Sequence, residues 1–235
     1  MADQPLTKEP QYQPSLEIRA HKGLARLGLM NNQVWNDDPR RLVFTLARYK
    51  FVAKMLSGKN SVLEVGCGDA FASRIVKQEV RNLVAIDFDP VFLADIEERK
   101  DPSWPMKCAV HDILSGPFPG VFEAIYSLDV LEHIQPEQED LFLHNILGSL
   151  DKHGVLIIGM PSIESQVYAS PQSKVGHVNC KTGKDLKSWL ERHFYNVFLF
   201  SMNDEVVHTG FSPMAHYLIA ICTTRRASGQ EAGPG

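Results

Sequence analysis

The sequence predicts one α/β domain: a mostly parallel sheet with helices on both faces. Three observations predict it. From about residue 39 onward, short apolar runs of strand length alternate with stretches of helical periodicity, the pattern of linked strand–helix–strand units. The first such run, SVLEVGCGDAF at 61–71, collapses into glycines before the next helix. Near the C-terminus, NVFLFSMND and AHYLIAICTT are close enough to close the sheet as an antiparallel hairpin. With 235 residues, 44% of them hydrophobic, the chain has material for one sizeable core.

The elements follow in order. Residues 1–14 are rich in Pro, Gln and charge, and 227–235 read ASGQEAGPG; both are too polar to offset the entropy of ordering. They are expected as loose tails around a domain at 15–226. PRRLVFTLARYKFVAKMLS at 39–57 has helical spacing, SVLEVG is a strand, a helix follows Asp69, and LVAIDF is a second strand. VFLADIEERK is a helix, PMKCAV and FEAIYSL are strands, QEDLFLHNILGSLDK is a helix ended near Gly154, and GVLIIGM is the fifth strand. At 161–181 the rhythm breaks into a long polar connection, read as a lid or acceptor-binding insertion because such loops in compact domains are usually functional. KDLKSWLERHF is the last helix, and there is no internal repeat.

Composition narrows the function. A net charge of -4 gives no global field for a polyanion, so nucleic acid is not the expected partner. Cys67, Cys108, Cys180 and Cys222 form no CxxC pair, which argues against a zinc knuckle or a disulfide framework and fits a reducing compartment. The N-terminus lacks the order of a secretory signal, and no apolar run is long enough to span a bilayer. A cytoplasmic protein is expected; its oligomeric state is open.

A strand that ends in Gly66-x-Gly68 and runs into a helix lets a ligand approach bare main chain. Ala70 stands where a dinucleotide fingerprint has its third glycine. Asp87 closes the next strand, where a carboxylate can accept the hydroxyls of a ribose. Glu64 before the glycines and Asp112 after the third strand would repel a pyrophosphate but not a cationic nucleoside. S-adenosylmethionine is such a ligand.

LEVGCGDA, VAIDFDP, HDI and FEAIYSLDVLEHI resemble, in order and spacing, the motifs of class I S-adenosylmethionine-dependent methyltransferases over residues 40–160. Within that family the sequence most resembles the ubiquinone-biosynthesis-like small-molecule O-methyltransferases, which also carry LEH after the fourth strand. The resemblance implies a Rossmann-like sheet of seven strands, order 3-2-1-4-5-7-6, with the last strand antiparallel. It implies that Glu64, Gly66 and Gly68 line the methionine end of the cofactor and that Asp87 holds the ribose. Phe88 would flank the adenine, Asp112 and Ile113 would meet its edge, and Ser127 and Leu128 would offer backbone to the amino group. Ala70 departs from the family's usual glycine.

SLDVLEHI brings together Asp129, Glu132 and His133, and three readings compete. If a helix starts here, Asp129 is its N-cap and Glu132 the capping-box partner. Alternatively His133 is a general base for an acceptor hydroxyl. In the third reading Asp129, Glu132 and His133 hold a divalent cation such as magnesium, manganese or zinc, which orients the acceptor. In the insertion, Tyr168, His177 and Asn179 offer polar contacts, with His208 and Met214 from the last hairpin; His177 is the added catalytic candidate. LGLMNNQVWNDDPRR at 27–41 either folds over the cofactor, with Trp35 as an apolar cover and Arg41 as a carboxylate partner, or packs as a helix on the sheet. The function expected is methyl transfer to an oxygen, or second to a nitrogen, of a small-molecule or saccharide-type acceptor. The rivals are a metal-assisted O-methyltransferase and a non-catalytic nucleoside-binding module.

Overall fold

The structure, a computed structural model, describes residues 5–227. Of the expected tails, 1–4 and 228–235 lie outside the described residues. The rest of the N-terminal one holds a 3-10 turn at Pro10–Tyr12 and the start of α1 (Gln13–Lys22), which buries no residue. No helix among the described residues is long and apolar enough to cross a membrane.

Four of the helices start where the sequence supplies a side-chain cap. Asp38 and Pro39 open α3 (Pro39–Met55), the Asp38 carboxylate accepting from Arg40 N–H, and Asp89 and Pro90 open α5 (Pro90–Glu98) in the same way. α2 (Leu29–Asp37) precedes α3, and the short α4 (Ser73–Lys77) lies between α3 and α5. The remaining helices are α6 (Glu139–Ser149), α7 (Pro171–Gly176) and α8 (Gly183–Glu191), whose N-cap Thr182 accepts from Asp185 N–H.

The strands are β1 (Ser61–Val65), β2 (Asn82–Asp87), β3 (Lys107–Val110), β4 (Phe122–Leu128), β5 (Leu150–Pro161), β6 (Phe194–Asn203), β7 (Val206–His208) and β8 (Tyr217–Arg225). They form one sheet in the order β3-β2-β1-β4-β5-β8-β6-β7, and β1 to β5 pair in parallel. The expected seven strands with one reversed are corrected to eight, and every pairing beyond β5 is antiparallel. The eighth arises because the chain reverses at Asp204, in left-handed conformation, and lays Val206–His208 back on β6. β5 also begins earlier than expected, since Leu150 pairs with Phe122 ahead of an irregularity in the ladder.

Alternation along the strands divides the core. Leu63, Val65 and Ile125 pack with Phe142, Leu143 and Leu190 on one face, while Val62, Ala124 and Tyr126 pack with Tyr49, Val52 and Val76 on the other. Helices therefore cover both faces, and strand order reverses direction between β1 and β4. Ligands of open α/β sheets bind at that switch point, outside the carboxyl ends of the strands.

Candidate active site

The glycine turn lies at the end of β1. Gly66 and Gly68 have φ of +78° and +51°, in the left-handed region where a side chain is strained. A Cβ on Gly66 would sit 2.2 Å from Val130 Cγ2, and one on Gly68 2.5 Å from Met30 Sδ. The turn is held to β2 by hydrogen bonds: Gly66 and Cys67 N–H donate to Ile86 O, and Gly68 N–H donates to Asp87 Oδ2 at 2.8 Å. Asp87 Oδ1 accepts Asp89 N–H at 3.0 Å, so this carboxylate fixes the turn.

Glu64 is beneath the turn and 1% exposed. Its oxygens accept the phenol hydroxyls of Tyr49 at 2.7 Å and Tyr126 at 2.8 Å. Burial pushes its carboxyl up to about 7, against the lowering effect of those hydrogen bonds. Above the turn, α2 is tied down by buried Asp69, which accepts Asn31 N–H at 2.8 Å and the Asn31 side-chain amide at 2.7 Å. The segment at 27–41 thus packs on the glycine turn, with Trp35 largely exposed and Arg41 exposed on the first turn of α3.

The other expected cofactor residues ring the same edge. Phe88 is exposed just past β2. Asp112 is exposed and caps a 3-10 turn by accepting Leu114 N–H, and Ile113 is buried behind it. At the end of β4, Ser127 Oγ donates to Val65 O at 2.9 Å and Leu128 is buried in the core. Side chains at 127 and 128 are therefore committed inward.

The acid and histidine cluster differs from the helix expected. Asp129 has φ +57°, which turns its carboxylate away from the following residues and toward Arg48, whose Nη1 donates to both oxygens at 2.8 and 2.9 Å. The Arg48 guanidinium lies 3.8 Å above the Tyr217 ring. Residues Leu131–His133 form a 3-10 turn whose N-cap is Val130, with no side-chain cap, so the capping box is not formed. Asp129 does not join Glu132 and His133. His177 takes its place: Glu132, His133 and His177 each offer a donor atom within 4.8 Å of the others.

The insertion brings His177 there. Val178 and Asn179 N–H both donate to the Glu132 carbonyl, pinning the insertion to the turn after β4. The two imidazoles meet edge-to-face at 5.2 Å between centroids. Burial, then the neighbouring His133, hold the His177 ring below its usual range. Glu132 is 1% exposed and its Oε2 has no hydrogen-bond partner among the described residues. Burial first, then the charge of Asp129, push its carboxyl well above the usual carboxylate range. This is a donor set with an unpartnered carboxyl oxygen, one that could hold a divalent cation.

The remaining candidates lie apart in role. Asn179 is buried and donates to Glu139 Oε2, which also accepts from Lys181. His208 is engaged within its own hairpin by Asn203 and Gly210, while Tyr168 and Met214 are exposed. Sequence reasoning missed Arg48, Asn31, Tyr49, Tyr126 and Tyr217, which sit within helix or strand patterns that packing alone accounts for, and Asp69, which sits in the glycine turn itself.

Residues 63–158 match a family model described as a methyltransferase domain. No curated protein matches the chain. Among solved structures, the N-methyltransferase NodS from Bradyrhizobium japonicum WM9 in complex with S-adenosyl-L-homocysteine is similar at 18% identity, covering 92% of this chain and 98% of that one with a TM-score of 0.59. An S-adenosylmethionine-dependent methyltransferase from Clostridium acetobutylicum ATCC 824 is similar at 11% identity over 82% and 96%, TM-score 0.64. The methyltransferase domain of bacterial CtHen1-C is similar at 14% identity over 77% and 98%, TM-score 0.64. The domain match over residues 63–158 and the order of the sheet show a methyltransferase domain with the fold that class I S-adenosylmethionine-dependent methyltransferases share.

Proposed function

We propose that the chain binds S-adenosylmethionine at the glycine turn and moves its methyl group to an oxygen, with nitrogen the second choice, of a small-molecule or saccharide-type acceptor. When bound, this cofactor supplies a methyl activated by a sulfonium and leaves as a neutral thioether. Bare backbone at Gly66 and Gly68 admits it, Asp87 accepts its ribose hydroxyls, and Phe88, Asp112 and Ile113 border the adenine. Ser127 and Leu128 offer backbone to its amino group, with Arg41 near its carboxylate and Glu64 supplying negative potential from below. The preference for oxygen rests on the resemblance of SLDVLEHI to the ubiquinone-biosynthesis-like group.

The observation that carries the acceptor chemistry is the convergence of Glu132, His133 and His177 beyond β4, with Glu132 Oε2 unpartnered. It favours the metal-assisted reading over His133 acting as a lone base. A divalent cation held by these three side chains would lower the acceptor's pKa and orient it. Two imidazoles and one carboxylate suit manganese, cobalt or zinc better than magnesium, which prefers oxygen ligands. Asp129 then acts through Arg48 as a positioning group. Since the displacement itself needs alignment above all, these fixed walls contribute mainly by orientation.

The test is methyl transfer from labelled cofactor to a panel of hydroxylated, saccharide and amine compounds, with and without chelator. Labelled product that vanishes on chelation and returns with manganese is the expected result. Turnover indifferent to chelation leaves the histidine-base reading, and cofactor binding without turnover on any acceptor leaves the non-catalytic module.

A further inference from the structure

Both imidazoles beside Glu132 are held by their Nδ1 atoms. His133 Nδ1 lies 2.9 Å from Gly176 O, and His177 Nδ1 lies 2.7 Å from Gln166 Oε1. The Gln166 amide has a defined sense, because its nitrogen donates to Ser162 O at 3.1 Å and to Ser165 Oγ at 3.4 Å, which leaves Oε1 toward the ring. An amide oxygen can only accept, so the ring proton of His177 belongs on Nδ1 and Nε2 is its one lone-pair nitrogen.

Gln166 is itself anchored to the sheet. Ser162, just past β5, is fully buried; its hydroxyl donates to Ala215 O at 2.6 Å and its N–H to His216 O. The insertion is also closed across its ends, with Ile163 N–H donating to Lys181 O. The end of β5 therefore reaches the His177 ring through two hydrogen bonds, Ser162 to Gln166 and Gln166 to His177.

We infer that Gln166 is a positioning residue that locks His177 in the Nδ1–H tautomer, so that its Nε2 completes a three-donor site with Glu132 and His133 for a borderline divalent cation. This rests on the metal-assisted reading of the acceptor end. Partners of this kind on the far ring nitrogen fix the orientation and raise the basicity of a ligating imidazole, and their loss typically weakens metal binding about 10- to 100-fold.

The experiment uses the full chain and two readouts: the His177 tautomer in metal-free protein, from long-range proton–nitrogen NMR, and cobalt(II) affinity, from titration of its visible absorption. Wild-type protein shows the Nδ1–H tautomer and binds cobalt(II). Gln166→Leu mixes the tautomers and weakens cobalt(II) binding about tenfold or more. Gln166→Glu, which keeps an acceptor oxygen, restores both; a merely structural role would leave the two variants alike. A wild-type His177 in the Nε2–H form overturns the inference without any variant. Wild-type cobalt(II) affinity in Gln166→Leu overturns it while leaving the cation reading intact, and a wild type that takes up no cobalt(II) overturns both.

Discussion

Glu64 and Glu132 are equally buried, each 1% exposed, and burial drives both carboxyls upward, yet their surroundings are opposite. Glu64 carries a tyrosine hydroxyl on each oxygen, both supplied by elements packed directly against β1. Glu132 has an oxygen with no partner among the described residues and faces two histidines whose far nitrogens are already anchored. A buried carboxylate left unmatched is costly, whereas one with its hydrogen bonds complete is a stable part of the core. The contrast separates an end of the site whose polar atoms are satisfied, where the glycine turn is shaped, from an end whose polar atoms converge with one carboxyl oxygen unpartnered among the described residues, as the proposed cation site requires.

The largest effect tests that separation directly. Glu132→Gln is expected to lower manganese or cobalt affinity by about 100-fold or more, since a ligand's loss exceeds the roughly 10- to 100-fold of a supporting partner. Affinity for S-adenosylhomocysteine, measured by calorimetry, should stay within about twofold. The reverse pattern belongs to Asp87→Ala. Removing a carboxylate that holds Gly68 N–H and, in the proposed reading, the ribose should cost about 3 kcal/mol of cofactor affinity, roughly 100-fold, with cation affinity unchanged. If either variant lowers both affinities together, the two ends are one coupled unit and the contrast fails.

The difference also explains what the sequence revealed. The glycine turn and its partners lie within one strand–helix–strand unit, so Gly66, Gly68 and Asp87 declare themselves by spacing, and the structure joins Gly68 to Asp87 by a hydrogen bond. The second end is assembled from the turn after β4 and an insertion more than forty residues later, and spacing says nothing about such a meeting. Hence the run from Asp129 to His133 suggested a helix, whereas the left-handed backbone at Asp129 sends its carboxylate to Arg48 and leaves a place that His177 fills. Tyr49 and Tyr126 were hidden for another reason: on a helix and a strand of the core, a tyrosine looks like any apolar residue until its hydroxyl finds Glu64. The extra strand at Val206–His208 was missed because three residues are too few to show a period.

Glu64 gives the next effect in size. Its carboxyl titrates near 7 in the folded protein against 4.5 for an ordinary glutamate. Between those values the folded chain keeps a proton that the unfolded chain has released, so stability falls as pH rises through the window and levels off above it. The total is roughly 3 kcal/mol. Glu64→Gln, which has no charge to bury, should abolish this slope in urea unfolding compared at pH 5 and pH 8, and should exceed wild type in stability at pH 8. An unchanged slope would mean that the two phenols fully compensate the buried charge.

The smallest effect lies within the turn itself, where Gly68 and Ala70 share nearly the same left-handed φ, +51° and +48°. Placing a side chain at 68 adds both backbone strain, about 1–2 kcal/mol, and an approach of 2.5 Å to Met30 Sδ. The methionine is flexible and can yield, so Gly68→Ala should cost about 1–2 kcal/mol in urea unfolding, most of it from the backbone. At position 70 a methyl is already accommodated and buried among Ala85 and Leu93. Ala70→Gly relieves the same strain but loses about 0.8 kcal/mol of burial and adds about 0.4–1 kcal/mol of unfolded-chain entropy. The opposing quantities nearly cancel, so its stability should stay within about 0.5 kcal/mol of wild type. A gain well above that would mean that Ala70 holds strain in the turn, and the cofactor end would be less finished than its hydrogen bonds indicate.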